Sequence, residues 1–160
     1  MVHDALQAAF GWKNCHLHEF RVGEIRFGMA DVEDEMFSID ERGAPLGAVA
    51  RAGVKLTYLY DFGDDWEHDV VVERVDSRGD DAILCTGGAR SCPPEDCSGA
   101  PGYARMLEIL ADTSHEEHAD MKTWAPRGFN SEKFDIHAVN RKLSTLTKRI
   151  TRWRKVGSAG

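Results

Sequence analysis

The chain has 160 residues, a formal net charge of −7 and a hydrophobic fraction of 42%. A chain of this length buries roughly two thirds of its unfolded surface, so we expect one hydrophobic core. No apolar run reaches the roughly 20 residues that span a bilayer, and no basic segment followed by a long apolar one opens the chain, which excludes membrane-spanning and secreted classes.

The cysteine content indicates a compartment. The chain has four cysteines: Cys15, Cys85, Cys92 and Cys97. Four are too few for a disulfide scaffold in a chain of this length, and that scarcity is typical of a reducing compartment. We therefore predict a cytoplasmic protein whose thiols are free or bind metal.

Helical periodicity opens the chain and then gives way to alternation. Apolar residues of the first ten recur at helical spacing, and Gly11 stands where a helix C-cap is expected. Residues 17–22 alternate and are followed by a turn at Gly23, which predicts a strand and a hairpin. A further short strand is predicted around residues 37–39.

The clearest strand pattern is KLTYLYDF, residues 55–62. One face of this strand is predicted to carry Leu56, Tyr58, Tyr60 and Phe62. Turn residues at 63–65 lead into HDVVVERV, so the two runs predict a hairpin. A third strand is predicted at AILC, residues 82–85, and three strands suffice for a stable sheet.

Three helices are predicted after a Gly- and Pro-rich loop at residues 87–102. The first covers residues 103–110. Ser114 and Glu117 form a capping box for the second, and Asp135 is the predicted N-cap of the third. The whole pattern predicts a single α+β domain in which a mostly antiparallel sheet packs against helices.

The charge distribution sets the end of the chain apart. The last twenty residues hold seven Lys and Arg and no acid, so they carry +7, and residues 1–140 must carry −14 to give the net charge of −7. We divide the chain into a domain, residues 1–147, and a basic tail, residues 148–160, whose end we expect to be disordered. The tail predicts binding to nucleic acid or an acidic partner, or else a solvated helix end. Its candidate contact residues are Lys148, Arg149, Arg152, Trp153, Arg154 and Lys155.

An acidic hairpin tip is the sharpest cluster of polar residues. The residues of this candidate site are Asp61, Asp64, Asp65, Trp66 and His68, with Glu95 and Asp96 added from the following loop. Carboxylates beside an imidazole bind divalent cations such as zinc, manganese or magnesium, or shift one another's pKa toward acid and base work. The alternative is structural, since Asp and Gly are ordinary turn formers and a tryptophan fills a core.

Cysteines in the loop give a second candidate site. Cys85, Cys92 and Cys97 supply three thiols, and His16, His18 or His68 would complete a zinc site. His16 and His18 flank Leu17, so a strand directs both to one side. Alternatively, prolines fix the loop and its cysteines pack as small hydrophobes.

Four sequence blocks carry a family resemblance. YLYDFGDDWEHDVVVE resembles the signature hairpin of the plasmid pRiA4b ORF-3-like proteins, also named TnpR family passenger proteins of insertion elements. QAAFGWKNCHLHEFRVG, CPPEDCSGAPGYARMLEIL and FNSEKFDIHAVN match the family's other blocks in the same order, over residues 2–143. The TnpR label implies a resolvase, but the chain has no recombinase signature. Members usually begin with a β-hairpin that is missing here, which implies an exposed sheet edge and self-association.

Three functional hypotheses follow. The first is a non-enzymatic binding or accessory module of mobile elements that uses the hairpin tip and the loop at 85–102. The second is a metal-dependent hydrolase of Asp61, Asp64, His68 and Glu95. The third is nucleic-acid binding through the tail. The sequence has no nucleophile elbow, phosphate-binding glycine loop or dinucleotide fingerprint, so it does not identify a substrate.

Overall fold

The computed structural model describes residues 1–29, 38–76 and 82–157. The chain falls into two compact units. We call residues 1–14, 79–97 and 101–160 the helical unit, and residues 15–78 and 98–100 the sheet unit. Within the described ranges, no helix is long and apolar enough to cross a membrane.

Helices and strands both occur, so the predicted α+β class is confirmed. In chain order the elements are α1 (Val2–Phe10), β1 (His18–Val22), β2 (Ile25–Gly28), β3 (Ser38–Asp40), a 3₁₀ turn (Glu41–Gly43), α2 (Leu46–Val49), β4 (Lys55–Tyr60), β5 (Trp66–Val71), α3 (Gly99–Ala111), α4 (His118–Trp124) and α5 (Ile136–Gly157). The strand order is β3-β2-β1-β4-β5. Among the strands of the described ranges only the β2–β3 pair is parallel, so the sheet is mostly antiparallel as predicted.

Aromatic residues dominate one face of the sheet. The register sets Tyr58 of β4 between Phe20 of β1 and His68 of β5. The rings of Phe20 and Tyr58 lie 4.9 Å apart, and Tyr58 and Tyr60 are completely buried. Aromatic cross-strand pairs of this kind stabilise a sheet by about 0.2 to 1 kcal/mol each.

The predicted alternation in β4 holds up to Tyr60 and then fails. Leu56, Tyr58 and Tyr60 are buried as expected, but Phe62 is 54% exposed. The strand ends because Asp61 adopts a left-handed conformation with φ 59°, which turns the chain away from the sheet. The prediction for Phe62 was therefore wrong.

The helical unit is built on contact between α1 and α5. Gly11 caps α1, donating its N–H to Gln7 at 2.8 Å, as predicted. Asp135 caps α5, because its Oδ1 accepts the N–H of Ala138 at 2.9 Å. Asp4 of α1 pairs with Arg149 of α5 at 3.2 Å. Residues 148–157 continue α5, so the part of the predicted tail that the structure describes is helical.

One predicted strand and the predicted start of one helix are wrong, although that helix ends at Trp124 as expected. Residues 82–85 form no strand, and the N–H of Ile83 is bound by the hydroxyl of Thr147 at 3.2 Å instead of by a neighbouring strand. The capping box at Ser114 does not start α4, which begins at His118. Ser114 instead donates both its N–H and its hydroxyl to Asp112.

The outer strands of the described sheet are β3 and β5. Glu67 and Asp69 of β5 are exposed, and charged residues on an edge strand oppose edge-to-edge pairing. Self-association through a sheet edge stays a prediction. Light scattering at high micromolar concentration tests it, since a strictly monomeric species contradicts it.

Candidate functional site

His16 and Asp61 meet at one end of the sheet unit. His16 Nε2 lies 3.4 Å from Asp61 Oδ2. The antiparallel ladder explains this contact, because β1 pairs His18 with Tyr60 and the N–H of Asp61 donates to the carbonyl of Leu17 at 2.9 Å. The residue before β1 and the residue after β4 are therefore neighbours. The Asp61 carboxylate is 11% exposed and the His16 ring 26% exposed, but the Nε2 atom of His16 that faces Asp61 is buried.

The Asp61 carboxylate is fixed by the hairpin turn that it organises. Its Oδ1 accepts the N–H of Gly63 at 3.0 Å and the N–H of Asp64 at 3.3 Å. Its carbonyl accepts the N–H of Asp65 at 2.6 Å. Aspartate favours such turns because its short side chain bonds the following backbone and tolerates the left-handed region. Oδ1 thus serves the turn, while Oδ2 faces His16.

Tyr60 and Cys15 complete this group, which we call the Cys15 site (Cys15, His16, Tyr60 and Asp61). The Tyr60 hydroxyl accepts the N–H of Cys15 at 3.2 Å and lies 4.0 Å from its sulfur. The rings of Tyr60 and His16 meet edge-on, with centroids 5.8 Å apart. The Cys15 sulfur lies within 4.8 Å of a ring nitrogen of His16. An exposed thiol, an imidazole and a carboxylate thus stand together around a buried tyrosine.

The other two histidines of the aromatic face have separate partners. His18 Nε2 lies 3.1 Å from Glu41 Oε2, and the His18 side chain is only 3% exposed. His16 and His18 contact Tyr60 and Tyr58 respectively, so they lie on one side as predicted. His68 Nδ1 lies 3.2 Å from the carbonyl of Tyr58. Burial lowers the pKa of His68, with backbone hydrogen bonds acting in the opposite direction.

The rest of the hairpin tip is held by its backbone. Asp65 has φ 56° and is exposed, and Trp66 begins β5 opposite Tyr60. The carbonyl of Asp64 lies directly against Gly99, so the segment Ser98–Ala100 belongs beside the tip. The interpretation of these acids as turn formers is therefore supported for Asp61 and Asp65.

The cysteine loop belongs to the helical unit. Burial raises the pKa of Cys92 to about 12, with smaller contributions from Glu95 and Cys97, and Cys97 is only 7% exposed. A thiol held protonated in this way behaves as a small hydrophobe. Among the described residues, Cys85, Cys92 and Cys97 are not part of any group of three potential metal ligands within 4.8 Å.

Hydrogen bonds fix the same loop. Trp12 donates its indole N–H to the carbonyl of Pro93 at 2.9 Å, and the carboxylate of Glu95 accepts the N–H of Lys13 at 2.7 Å. Glu95 therefore has a structural bond within the helical unit. Asp96 is exposed, with φ 58°.

The side chain of Asn140 makes hydrogen bonds with both the N–H and the carbonyl of Cys85. Its Oδ1 accepts the N–H of Cys85 at 2.8 Å, and its amide donates to the carbonyl of Cys85 at 2.9 Å. A side-chain amide thus takes the place of a neighbouring strand. This arrangement explains a polar residue close to the apolar stripe of α5.

The exposed side of α5 is basic. Arg141, Lys148 and Arg152 recur at spacings of seven and four, which places them on one side of a helix. All three are exposed, whereas Leu143 and Leu146 on the opposite side are buried. We call these three cations the α5 stripe. Arg149 pairs with Asp4 at the flank, and the side chains of Trp153, Arg154 and Lys155 lie outside the described residues.

Sequence reasoning missed several residues of these groups. Glu41 lies 23 positions from His18, and no local pattern links the two. Tyr60 was predicted as a core residue, but its hydroxyl contact with Cys15 depends on strand register. Arg141 was counted in the basic charge but not placed among the contact residues, although its seven-residue spacing to Lys148 was visible.

Comparisons with known proteins agree on a family. The sequence model described as plasmid pRiA4b ORF-3-like protein matches residues 1–138. An uncharacterized protein, y4hQ, of Sinorhizobium fredii (strain NBRC 101917 / NGR234) is 42% identical over 155 residues, covering 93% of this chain and 75% of the relative. The crystal structure of MM3350, a protein of unknown function from Methanosarcina mazei Go1, is similar with a TM-score of 0.74 and 34% identity, covering 84% of this chain and 79% of that one.

Proposed function

Since the chain belongs to the plasmid pRiA4b ORF-3-like family, we propose that it is a non-enzymatic accessory module of mobile elements that binds duplex DNA through the α5 stripe. The observation that carries this proposal is a helix with exposed Arg141, Lys148 and Arg152 and no acidic residue along its length. The family description names a plasmid reading frame, which agrees with such a role.

The length of the α5 stripe favours duplex DNA as the polyanion that it binds. Eleven residues separate Arg141 from Arg152, which is about 16 Å along a helix. The major groove of B-DNA is about 12 Å wide and admits an α-helix, whereas the major groove of A-form RNA is too narrow. Exposed Ser144 lies between the cations, and its hydroxyl is able to donate a hydrogen bond to a phosphate oxygen.

Charge segregation adds to this argument. The chain as a whole carries −7, so a uniform surface would repel DNA. Cations gathered on one helix provide a local attraction that the acidic remainder does not cancel, because charges further apart than about 8 to 10 Å are screened at physiological salt.

Several polar residues that were candidates for catalysis or metal binding have structural roles, which supports the proposal of a non-enzymatic protein. Asp61 organises a turn, Glu95 bonds Lys13, and Cys92 stays protonated. A metal-dependent hydrolase at the hairpin tip has less support, since His68 is engaged with the carbonyl of Tyr58 within the sheet.

Fluorescence anisotropy with a mixed-sequence duplex of about 30 base pairs tests the proposal. We expect binding at about 50 mM salt that weakens steeply toward 200 mM, since each phosphate contact adds about 0.9 to the salt slope. The variant R141A/K148A/R152A should bind at least about tenfold more weakly and lose about three units of slope.

A matched control is R51A/K122A/R127A, which removes the same charge from exposed positions elsewhere. This control should bind like the unaltered chain. Equal weakening of both triple variants, or no duplex binding by the unaltered chain at about 50 mM salt, would contradict the proposal. Equal affinity for polyglutamate and duplex DNA would also contradict it, because it would indicate a general polyanion site.

A further inference from the structure

We propose that the outer edge of β5 binds an extended basic segment of a partner protein, which adds to the sheet as an antiparallel strand. The binding surface consists of Glu67, Asp69 and Val71, and we call it the β5 edge. It lies in the sheet unit, so the proposal does not depend on DNA binding by α5.

The backbone of the β5 edge faces away from the sheet. The N–H of Val72 donates to the carbonyl of Val54 at 2.9 Å, and the carbonyl of Val72 accepts the N–H of Gly53 at 2.8 Å. Residues of an antiparallel strand alternate in whether they bond a given neighbour. Because Val72 bonds toward β4, positions 66, 68 and 70 do so as well, and the three residues of the β5 edge direct their N–H and carbonyl groups outward.

The other side of β4 gives the same result. The N–H of Asp61 donates to the carbonyl of Leu17, so the odd positions of β4 bond β1 and its even positions bond β5. Among the described residues, β5 pairs with β4 alone. The outward N–H and carbonyl groups of the β5 edge are therefore a template for a further strand.

The side chains of the β5 edge select a cationic strand. Successive odd positions share one face of the sheet, so Glu67, Asp69 and Val71 form a single exposed row. Residues directly opposite across two strands lie about 4.5 to 5.5 Å apart, so Lys or Arg opposite either acid forms an ion pair. Asp69 also contacts Lys55 at 2.9 Å, but both side chains are 60% exposed, and such a surface pair leaves the carboxylate able to accept a second cation.

The same charges disfavour a second copy of this chain on the β5 edge. Antiparallel pairing of two such edges would set the two Asp69 carboxylates opposite each other, or Glu67 opposite Asp69 after a shift of two residues. Like charges directly opposite are destabilising. The occupant is therefore a different protein with cations at alternate positions.

Antiparallel register specifies the sequence of the partner. From its N-terminal end, the segment carries an apolar residue opposite Val71, a Lys or Arg opposite Asp69 and a second Lys or Arg opposite Glu67. Single residues that lie on the other face separate these positions. Because β5 has six residues, six residues of the partner, about 20 Å, cover it.

Nuclear magnetic resonance titration of the isotope-labelled full chain with the blocked peptide VTKTKT tests the proposal. We expect the amide signals of Glu67, Asp69 and Val71 to shift and their hydrogen exchange to slow. The peptide VTETET should bind at least about tenfold more weakly, because two opposite-charge pairs become like-charge pairs.

Backbone methylation of the peptide separates strand addition from charge attraction. Methyl groups on the backbone nitrogens of both lysines block the N–H groups that face β5 and should weaken binding at least about fivefold. Methyl groups on the second and third threonine nitrogens should not, because those N–H groups face away from β5. Both peptides keep the charge of VTKTKT, and neither requires a variant of the protein.

Charge reversal in the protein tests the register. Glu67→Lys should prefer VTKTET over VTKTKT, whereas the unaltered chain should prefer VTKTKT. The matched control, Glu24→Lys, reverses an exposed charge in the β1–β2 turn and should keep the preference of the unaltered chain.

Four outcomes would overturn the proposal. They are peptide-induced shifts that do not include the β5 edge, equal weakening by the two methylation patterns, an unchanged preference in Glu67→Lys, and an inverted preference in Glu24→Lys. Amide shifts of the β5 edge when the chain alone is concentrated would also count against it, because they would assign this edge to a second copy.

Discussion

Replacing Gly99 by alanine should destabilise the sheet unit far more than the same change at Gly23. Gly99 has φ 67°, and a Cβ there would lie less than 3.0 Å from the carbonyl oxygen of Asp64. Gly23 has a similar φ of 57°, but nothing lies within 4 Å of its added Cβ. The two glycines thus share a backbone conformation and differ only in the space around them.

The expected losses in the free energy of unfolding follow from the backbone conformation and from the space around the added methyl group. A left-handed conformation costs a non-glycine residue roughly 1 to 2 kcal/mol, and this cost applies to both variants. Forcing a methyl group into a filled space costs roughly 1 to 3 kcal/mol more, and this applies only to Gly99→Ala because the opposing atoms are backbone. We therefore expect a free energy of unfolding lower by about 2 to 5 kcal/mol for Gly99→Ala and by about 1 to 2 kcal/mol for Gly23→Ala.

Urea unfolding followed by tryptophan fluorescence measures both variants. The urea midpoints should separate while the slopes stay alike, because neither change alters the surface exposed on unfolding. Equal losses of stability would refute the reasoning, since they would mean that Ser98–Ala100 is not held against the hairpin tip.

Three further predictions concern the helical unit and the sheet. Asn140→Ala should lower the free energy of unfolding by about 1 to 3 kcal/mol, because the N–H and carbonyl of Cys85 each lose a half-buried partner; urea unfolding measures it. Iodoacetamide at pH 8 should label Cys92 about 1,000-fold more slowly than a thiol of ordinary pKa, because a pKa of about 12 leaves only about 0.01% of the thiol as thiolate. The exposed Cys15 should react first, and peptide mass spectrometry measures both rates. His68→Gln should flatten the fall in stability below pH 6.5 in pH-dependent urea titrations. The lowered pKa of His68 means that the unfolded chain binds more protons there, so stability present above pH 6.5 is lost as the pH falls through the native pKa.

Each of these has a contrary outcome. Stability of Asn140→Ala equal to that of Ser144→Ala, an exposed change on the same helix, would mean that Asn140 does not support Cys85. Labelling of Cys92 as fast as that of Cys15 would contradict its burial. A His68→Gln chain with an unaltered dependence on pH would exclude His68 as a source of the acid sensitivity.

Sequence patterns predict the helices and strands that are defined by periodicity within their own segment. The stripes of α1 and α5 and the alternation in β4 follow from periodicity, and these elements lie where the patterns predict, except that β4 ends at Tyr60. The segment 82–85 has the composition of a strand, yet its N–H groups at Ile83 and Cys85 are bound by Thr147 and Asn140 of α5. The sequence of residues 82–85 does not indicate that the hydrogen-bond partners of its backbone are side chains of a helix more than fifty positions away.

Register explains why the site was predicted only in part. The sequence groups Asp61 with His68 because both belong to the acidic hairpin tip, but Asp61 contacts His16, 45 positions away. That contact depends on β1 pairing with β4 so that His18 faces Tyr60. A slip of one residue would direct every side chain of β1 to the opposite face. The sequence indicates which residues alternate, but it does not specify which strand lies beside which.

The two oxygens of Asp61 make its turn contacts and its contact with His16 separable. Asp61→Asn keeps an oxygen to accept the N–H groups of Gly63 and Asp64 and tolerates a φ of 59°, so the turn should survive and stability should change by less than about 1 kcal/mol. Asp61→Ala removes the oxygen that organises the turn and should lower the free energy of unfolding by about 1 to 3 kcal/mol. Urea titrations of the two variants distinguish these cases. Equal destabilisation of both would mean that the contact of Oδ2 with His16, and not the turn, carries the contribution of Asp61 to stability.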